Sequence, residues 1–124
     1  MSDAVEEGIC LFNAQKFFEC HEVLEAEWLL ERGADKTILH GLIQIAAAFY
    51  HQQRSNLRGA RSLLQKGIKK LEPWRASWRG IDLLSLKRQL LPWQEFLNGA
   101  ESERRLGSPP NPPLPRIERA TYPK

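Results

Sequence analysis

No apolar run in this sequence approaches the roughly 20 residues that a helix needs to cross a membrane, and the chain has only two cysteines, Cys10 and Cys20. Neither a disulfide framework nor a paired-cysteine metal motif can be built from them. The first seven residues, Met-Ser-Asp-Ala-Val-Glu-Glu, lack the basic start and the apolar stretch of a secretion signal. These absences predict a cytoplasmic protein with no membrane partner.

Motifs for nucleophilic catalysis and phosphate binding are also missing. No serine lies in a recognisable nucleophile motif, and no glycine-rich loop follows a strand pattern. There is no His-Glu-x-x-His sequence of the kind that binds zinc on a helix. The sequence therefore favours a protein that is not an enzyme, while leaving open a reaction that needs only a histidine and a carboxylate.

The composition is that of one globular domain with an uneven distribution of charge. The chain has 124 residues, of which 42% are apolar and 27% are charged, enough to enclose a single core. Residues 1–31 carry a net charge of −7, whereas the remainder carries +10, which together give the overall +3. Opposite poles can attract each other within the fold, between two copies in a homodimer, or toward a charged ligand.

Apolar residues recur at helical spacing in five segments, and no useful β-type alternation is present. The predicted fold is therefore all-α, a single-domain bundle of about five helices. Gly41, inside the third helix, indicates a close helix approach, and Pro92, inside the fifth, predicts a kink or a break. The predicted helices are residues 4–13 with Asp3 as N-cap, 16–31 ending near Gly33, 36–53, a fourth from the N-cap Asn56 to Leu71, and a fifth from the N-cap Asp82 to about Asn98.

The composition changes after the fifth helix. Six of the eight prolines lie between positions 109 and 123. Such a segment is typical of an extended chain, either packed along a domain or loose in solvent. We therefore predict a helical bundle over residues 1–106 and a proline-rich, extended C-terminal tail over residues 107–124.

Polar residues interrupt the apolar faces of the second and third helices. His21 and Glu25 lie one turn apart at the edge of the second helix's apolar stripe. The third helix is apolar around nearly its whole circumference, apart from one strip with His40, Gln44 and His51. Because polar groups on buried faces need partners, we expect the two helices to share a polar cluster. The predicted ligand-binding residues are His21, Glu22, Glu25, Trp28, Gln44 and His51.

This polar cluster allows three interpretations. It can be a hydrogen-bonded network that only stabilises the fold. It can bind a small ligand or a divalent metal ion, with His21, Glu25 and His51 as metal ligands, because helical bundles build carboxylate–histidine centres from such pairs. In a hydrolase-like enzyme, His21 would be the catalytic acid or base and Glu25 would position it.

Residues 54–79 suggest a different class of function. They carry a net charge of +7, and Trp74 and Trp78 lie among the last of the basic residues. Basic side chains bind phosphates and aromatic rings stack on exposed bases, so this segment is a candidate nucleic-acid or protein-interaction surface. A solvated helix face with tryptophans in the core explains the same pattern, and the acidic first 31 residues weigh against a nucleic-acid partner. The predicted nucleic-acid contacts are Arg58, Arg61, Lys69, Lys70 and Arg75.

Three segments carry distinctive motifs. The first reads Phe-Asn-x3-Phe-Phe-Glu-Cys-His-Glu-Val-Leu-Glu-x2-Trp over residues 12–28, and the second reads Leu-His-Gly-Leu-Ile-Gln-Ile-Ala over residues 39–46. The third begins Arg-Ser-Asn-Leu-Arg-Gly-Ala at residue 54 and leads into Leu63 and Leu64. Together they resemble the core motifs of DUF309, a family of small helical bacterial and plastid proteins whose function is not established. The resemblance covers about residues 8–72.

The resemblance implies a fold and a set of positions, but no activity. It implies an all-α bundle in which the predicted ligand-binding residues occupy motif positions of the family. The chain departs from the family pattern at His40, where the family commonly has glutamine, and at Cys20, where it usually has alanine. A role that depends on His40 is therefore not implied by the family. The motif positions are His21, Glu22, Glu25, Trp28, Gln44 and His51.

Overall fold

The computed structural model describes residues 4–75, 77–100 and 111–120, apart from the side chain of Ala100. In these ranges the chain forms five α-helices and no β-strand, which confirms the predicted all-α, single-domain bundle. No helix within the described ranges is long and apolar enough to span a membrane. The helices are α1 (Ala4–Asn13), α2 (Phe17–Trp28), α3 (Gly33–Gln53), α4 (Leu57–Leu71) and α5 (Leu83–Ala100).

The turn between α2 and α3 differs from the prediction. Helix α2 ends at Trp28, three residues before the predicted end, and α3 begins at Gly33, three residues before the predicted start. Gly33 has a φ of +63°, a left-handed conformation that glycine adopts without a steric penalty. Gly33, which was predicted to end α2, is therefore the first residue of α3, and residues 29–32 form the turn between the two helices. The predicted cap Asp3 lies outside the described residues.

Helix α5 runs without a break through Pro92. A break was predicted there because proline cannot donate a hydrogen bond to the carbonyl of Arg88, one turn earlier. Both Pro92 and Arg88 are exposed, so water can bind the freed carbonyl. The start of the helix agrees with the prediction, since the Asp82 carboxylate accepts a hydrogen bond from the Ser85 amide at 2.9 Å.

Helix α3 packs between α2 and α4, while α1 packs on α2 and α5 on α4. Phe49 of α3 is almost fully buried, and its ring contacts three aromatic rings from other helices. The ring centroids lie 6.4 Å from Phe12 of α1, 5.5 Å from Phe17 of α2 and 5.1 Å from Trp93 of α5. Four of the five helices therefore meet at one aromatic cluster.

Two glycines allow α3 and α4 to approach closely. A Cβ atom added to Gly67 of α4 would lie 2.8 Å from the carbonyl oxygen of Gly41 and 2.7 Å from Cγ1 of Ile45, both in α3. A Cβ on Gly41 would in turn lie 3.1 Å from the Gly67 carbonyl oxygen. The close approach that Gly41 indicated is thus confirmed, and its partner on α4 is Gly67.

Residues 111–120, which we call the strap, form neither a helix nor a named strand and lie against α1 and α5. Asn13 at the end of α1 hydrogen-bonds to the main chain of Ile117, and Trp93 of α5 donates its indole N–H to the Pro113 carbonyl at 2.8 Å. The predicted boundary between bundle and tail, near residue 107, lies outside the described residues.

The connector between α4 and α5 is fastened to the α2–α3 turn by Arg79. This residue adopts a left-handed backbone with a φ of 48°. Its guanidinium lies 2.9 Å from a carboxylate oxygen of Glu31, 3.3 Å from one of Asp35 and 3.5 Å from one of Glu27. Trp78 donates its indole N–H to Asp35 at 2.8 Å. The Trp78 hydrogen bond and the nearby Arg79 charge hold the pKa of Asp35 below its ordinary 3.8.

We expect Arg79→Met to lower the free energy of unfolding at neutral pH by about 2 kcal/mol, because three neighbouring carboxylates lose their shared cation. The partial exposure of Arg79 keeps the loss below that of a fully buried pair. In the wild type, the lowered pKa of Asp35 stabilises the fold above about pH 4 and loses this effect as the pH falls through the folded-state value. Urea denaturation from pH 7 to pH 3 should therefore show the two proteins converging in acid.

The matched control is Arg88→Met, at an exposed position of α5. It should change the free energy of unfolding by less than about 0.5 kcal/mol at every pH. Equal losses for the two variants would contradict the role assigned to Arg79.

Candidate functional site

The His21–Glu25 pair lies at the edge of α2, as the helical spacing predicted. Nε2 of His21 is 4.0 Å from Oε2 of Glu25, which is an ion-pair distance and too long for a hydrogen bond. The His21 side chain is 28% exposed and that of Glu25 is 53% exposed, so Glu25 extends toward solvent. Glu22 is also exposed. Both carboxylates are therefore exposed, whereas His21 is partly buried.

A cavity of about 140 Å³ lies between α2 and α3, and we call it the α2–α3 cleft. His21 and His51 both line it, so the structure brings together the two histidines predicted from separate helices. Ala47 supplies the space between them, because its small side chain lies in the same strip of α3. The lining residues are Phe18, His21, Ala47, Tyr50 and His51.

Aromatic rings form one side of this cleft. The Phe18 ring centroid lies 5.9 Å from that of His21 and 5.2 Å from that of Tyr50. Tyr50 also lies 5.6 Å from His51, and the guanidinium of Arg54 lies 5.5 Å from the Tyr50 centroid. These rings pack on one another at tilted or edge-on angles, and the wall that they form favours an apolar or aromatic molecule in the cleft.

Three polar atoms of the predicted ligand-binding residues are buried and have no hydrogen-bond partner within the described ranges. They are Nδ1 of His21, Oε1 of Gln44 and Nε1 of Trp28. A buried polar group left unsatisfied costs about 1–3 kcal/mol, and nearly all such groups in folded proteins have a partner. These residues were expected to satisfy one another, but the described contacts contain no such closed network. Of the three residues, His21 is the one that lines the α2–α3 cleft, so its Nδ1 is the unsatisfied atom that belongs to the wall of the cleft.

The two remaining histidines have other contacts. Nδ1 of His51 lies 3.2 Å from Nδ2 of Asn56, the residue that caps α4. The His40 ring centroid lies 5.4 Å from that of Trp28, and Nζ of Lys36 lies 4.4 Å from the same indole. Burial, and to a lesser degree the Lys70 charge, lowers the pKa of His40. His40 therefore packs on Trp28, away from the residues that line the cleft.

The predicted metal site is not assembled. Within the part of the chain that the structure describes, no group of three or more His, Cys, Asp or Glu side chains is arranged to hold a metal ion. His21 and His51 share a cavity, but the exposed carboxylate of Glu25 does not line it. The lining residues of the cleft include no Ser, Thr or Cys side chain, so the hydrolase-like interpretation depends on His21 and Glu25 alone, which are 4.0 Å apart.

The basic segment differs from an aromatic nucleic-acid surface. Trp78 is only 8% exposed and donates to Asp35, while Nε1 of Trp74 is buried. Trp78 therefore belongs to the core and has no open face for stacking on bases, whereas Trp74 is partly buried against the core. Of the predicted contacts, Arg58, Lys69 and Arg75 are exposed, whereas Arg61 and Lys70 are half-buried.

Sequence reasoning missed Phe18 and Glu27. Phe18 is 44% exposed, and its position three residues before His21 on the same helix was the signal that it could line the cleft. Glu27 is 7% exposed and binds Arg79. On the helical wheel of α2, Glu27 lies next to the buried Cys20, so its burial could have been predicted. Its partner Arg79, which lies in a loop distant in sequence, could not.

Part of the sequence matches a known protein family. The model of the family described as "Domain of unknown function (DUF309)" matches residues 5–63, which contain every predicted ligand-binding residue. This match confirms the resemblance that the motifs indicated. The chain is also 38% identical over 71 residues to "Uncharacterized protein YpuF" of Bacillus subtilis (strain 168). That alignment covers 56% of this chain and 39% of the relative, so the chain spans about two fifths of the relative's length.

Proposed function

We propose that this protein is a cytoplasmic, non-enzymatic binding protein, and that its α2–α3 cleft takes a small molecule with a compact apolar body and an O–H or N–H donor. The observation that carries the proposal is made at His21, whose side chain lines the cleft and whose buried Nδ1 atom has no partner among the described residues. Two free thiols, Cys10 and Cys20, suit the reducing cytoplasm.

The size and lining of the cleft define the body of the ligand. A cavity of about 150 Å³ is known to hold one benzene ring, and this cleft has about 140 Å³. The rings of Phe18, Tyr50 and His21 offer faces and edges to such a body. The cleft is too small for a nucleotide or a peptide, and it suits a molecule of about the size of one aromatic ring.

The unpartnered Nδ1 atom of His21 defines the polar group of the ligand. A neutral imidazole has one N–H and one acceptor nitrogen. In the tautomer with the proton on Nε2, which places the N–H near the Glu25 carboxylate at 4.0 Å, Nδ1 is the acceptor. An acceptor without a donor calls for a ligand that brings the hydrogen, such as an alcohol, a phenol or an amine.

Phenol and anisole test this proposal as a matched pair of probes, because anisole has a ring of the same size but no O–H. We expect phenol to bind about tenfold more tightly, which corresponds to one buried hydrogen bond. Both affinities are measured during titration from the nitrogen and proton chemical shifts of the His21 ring and the proton chemical shifts of the Tyr50 ring. The variant His21→Phe, which keeps a ring but removes Nδ1, should bind the two probes equally.

A cavity-filling variant supplies the control for position. Ala47→Leu should abolish the binding of phenol by occupying the cleft, whereas Ala26→Leu, on the exposed face of α2, should leave it unchanged. Equal affinities of the wild type for phenol and anisole would contradict the proposal. So would phenol binding that survives Ala47→Leu.

A further inference from the structure

The strap is held mainly through its main chain. Asn13 binds Ile117 with both ends of its amide: Nδ2 donates to the carbonyl at 3.0 Å, and Oδ1 accepts from the amide N–H at 2.8 Å. Gln89 of α5 makes the same pair of bonds with Arg116, at 3.0 and 2.8 Å. Two separate amide side chains therefore each bind the N–H and the carbonyl of one strap residue in the same bidentate way.

Further main-chain contacts extend this pattern toward both ends of the strap. The Trp93 indole donates to the Pro113 carbonyl at 2.8 Å. The Asp82 amide donates to the carbonyl of Glu118 at 2.8 Å, and the Ala120 amide donates to the carbonyl of Gly80 at 2.9 Å. Bonds to the main chain are available to any peptide of suitable shape, because they do not depend on its side chains.

Side-chain burial along the strap supplies the selectivity. Pro115 and Ile117 are buried, whereas Arg116 and Glu118 between and after them are exposed. Such alternation is typical of an extended chain that presents every second side chain to a surface. The groove therefore selects a proline and an aliphatic residue two positions apart, and Arg119 pairs with Glu6 of α1 beyond them.

We propose that this groove, formed by α1, α5 and the connector before α5, is an interaction surface for an extended, proline-containing peptide, and that it accepts the strap of a second copy of the chain in place of its own. The second copy has the same sequence, so every contact of the strap can form between two copies unchanged. Ten residues of sequence, 101–110, join α5 to the strap. A tether of this kind gives the chain's own strap a millimolar effective concentration, so exchange requires a weakened strap or a concentrated protein.

Two full-length variants with complementary defects test this exchange. Ile117→Asp places a charge in a site that is 4% exposed, which weakens the strap and leaves the groove intact. The double substitution Asn13→Ala and Gln89→Ala weakens the groove and leaves the strap intact. We expect each variant alone to be a monomer, and a mixture of the two to form a 1:1 complex in light scattering after gel filtration. A triple variant with all three changes should form no complex with Ile117→Asp.

A labelled peptide of residues 111–120 measures the groove independently. Full-length Ile117→Asp should bind it about 100-fold more tightly than the wild type, whose own strap competes. The same peptide carrying Ile117→Asp should not bind. Far-ultraviolet circular dichroism checks that the variants are folded, and Ile117→Ala replaces Ile117→Asp if the charge prevents folding.

The two experiments together distinguish a second copy of this chain from a peptide of another protein as the occupant of the groove. A 1:1 complex together with peptide binding supports the proposal. Peptide binding without the complex would overturn the assignment to a second copy and indicate a peptide from another protein. The absence of both in a folded variant would overturn the groove itself.

Discussion

Phe49→Ala is expected to lower the free energy of unfolding by about 4 kcal/mol, one of the two largest effects that we expect for a single substitution in this chain. Phe49 is 1% exposed, and its ring contacts Phe12, Phe17 and Trp93. Removing the ring leaves a cavity where four helices meet, and the surrounding rings can fill it only by moving whole helices. Urea denaturation, followed by far-ultraviolet circular dichroism, measures the loss as a lower midpoint concentration of urea at an unchanged slope m.

Phe18→Ala is the matched control, since it removes the same ring from a position that is 44% exposed. Its loss should stay below about 1.5 kcal/mol, because nearly half of that residue's surface is already in contact with water. Phe49→Leu should fall between the two alanine variants. If Phe18→Ala were as destabilising as Phe49→Ala, the aromatic cluster would not be the centre of the core.

Gly67→Ala is the second large effect, with an expected loss of about 3 kcal/mol. Alanine is the better helix former by about 1 kcal/mol, so helix propensity alone predicts the opposite sign. The added Cβ would lie 2.8 Å from the Gly41 carbonyl oxygen and 2.7 Å from Cγ1 of Ile45, and the first of these is backbone that moves only with α3. Thermal and urea unfolding of the variant measure the loss.

Gly99→Ala provides the control for Gly67→Ala. Gly99 also lies in a helix, but no described atom outside its own helix lies within 4 Å of an added Cβ. The substitution should therefore raise the free energy of unfolding, by up to about 1 kcal/mol. Changes of the same sign at the two glycines would contradict the close packing of α3 on α4.

Much of the fold could be predicted because each helix carries its own local signal. The spacing of apolar residues placed all five helices, and Asn56 and Asp82 cap α4 and α5 as predicted. Gly41 indicated the close crossing of α3. A glycine inside a helix lowers the stability of the helix, so it is expected where a neighbouring helix needs the space of a side chain. The turn at Gly33 was misread, since a left-handed glycine can end one helix or begin the next.

The candidate site was predictable in position but not in its contacts. Helical spacing placed His21 and His51 on facing strips, and the two do line one cleft. Whether Glu25 turns inward or toward solvent depends on rotamers and on the width of the helix–helix gap, which a single sequence does not contain. The partners of Glu27, Asn13 and Gln89 come from segments more than 25 residues away in the chain, and no local pattern encodes such pairs.

The Asn13–Ile117 contact has a consequence for the time at which this molecule is completed. It joins residues 104 positions apart, so it closes almost the whole chain into a loop. Closing so large a loop costs more conformational entropy than forming the local contacts within and between neighbouring helices. We therefore expect the strap to dock after the helices have packed. The groove is then vacant for an interval during folding, and in that interval it is open to another peptide.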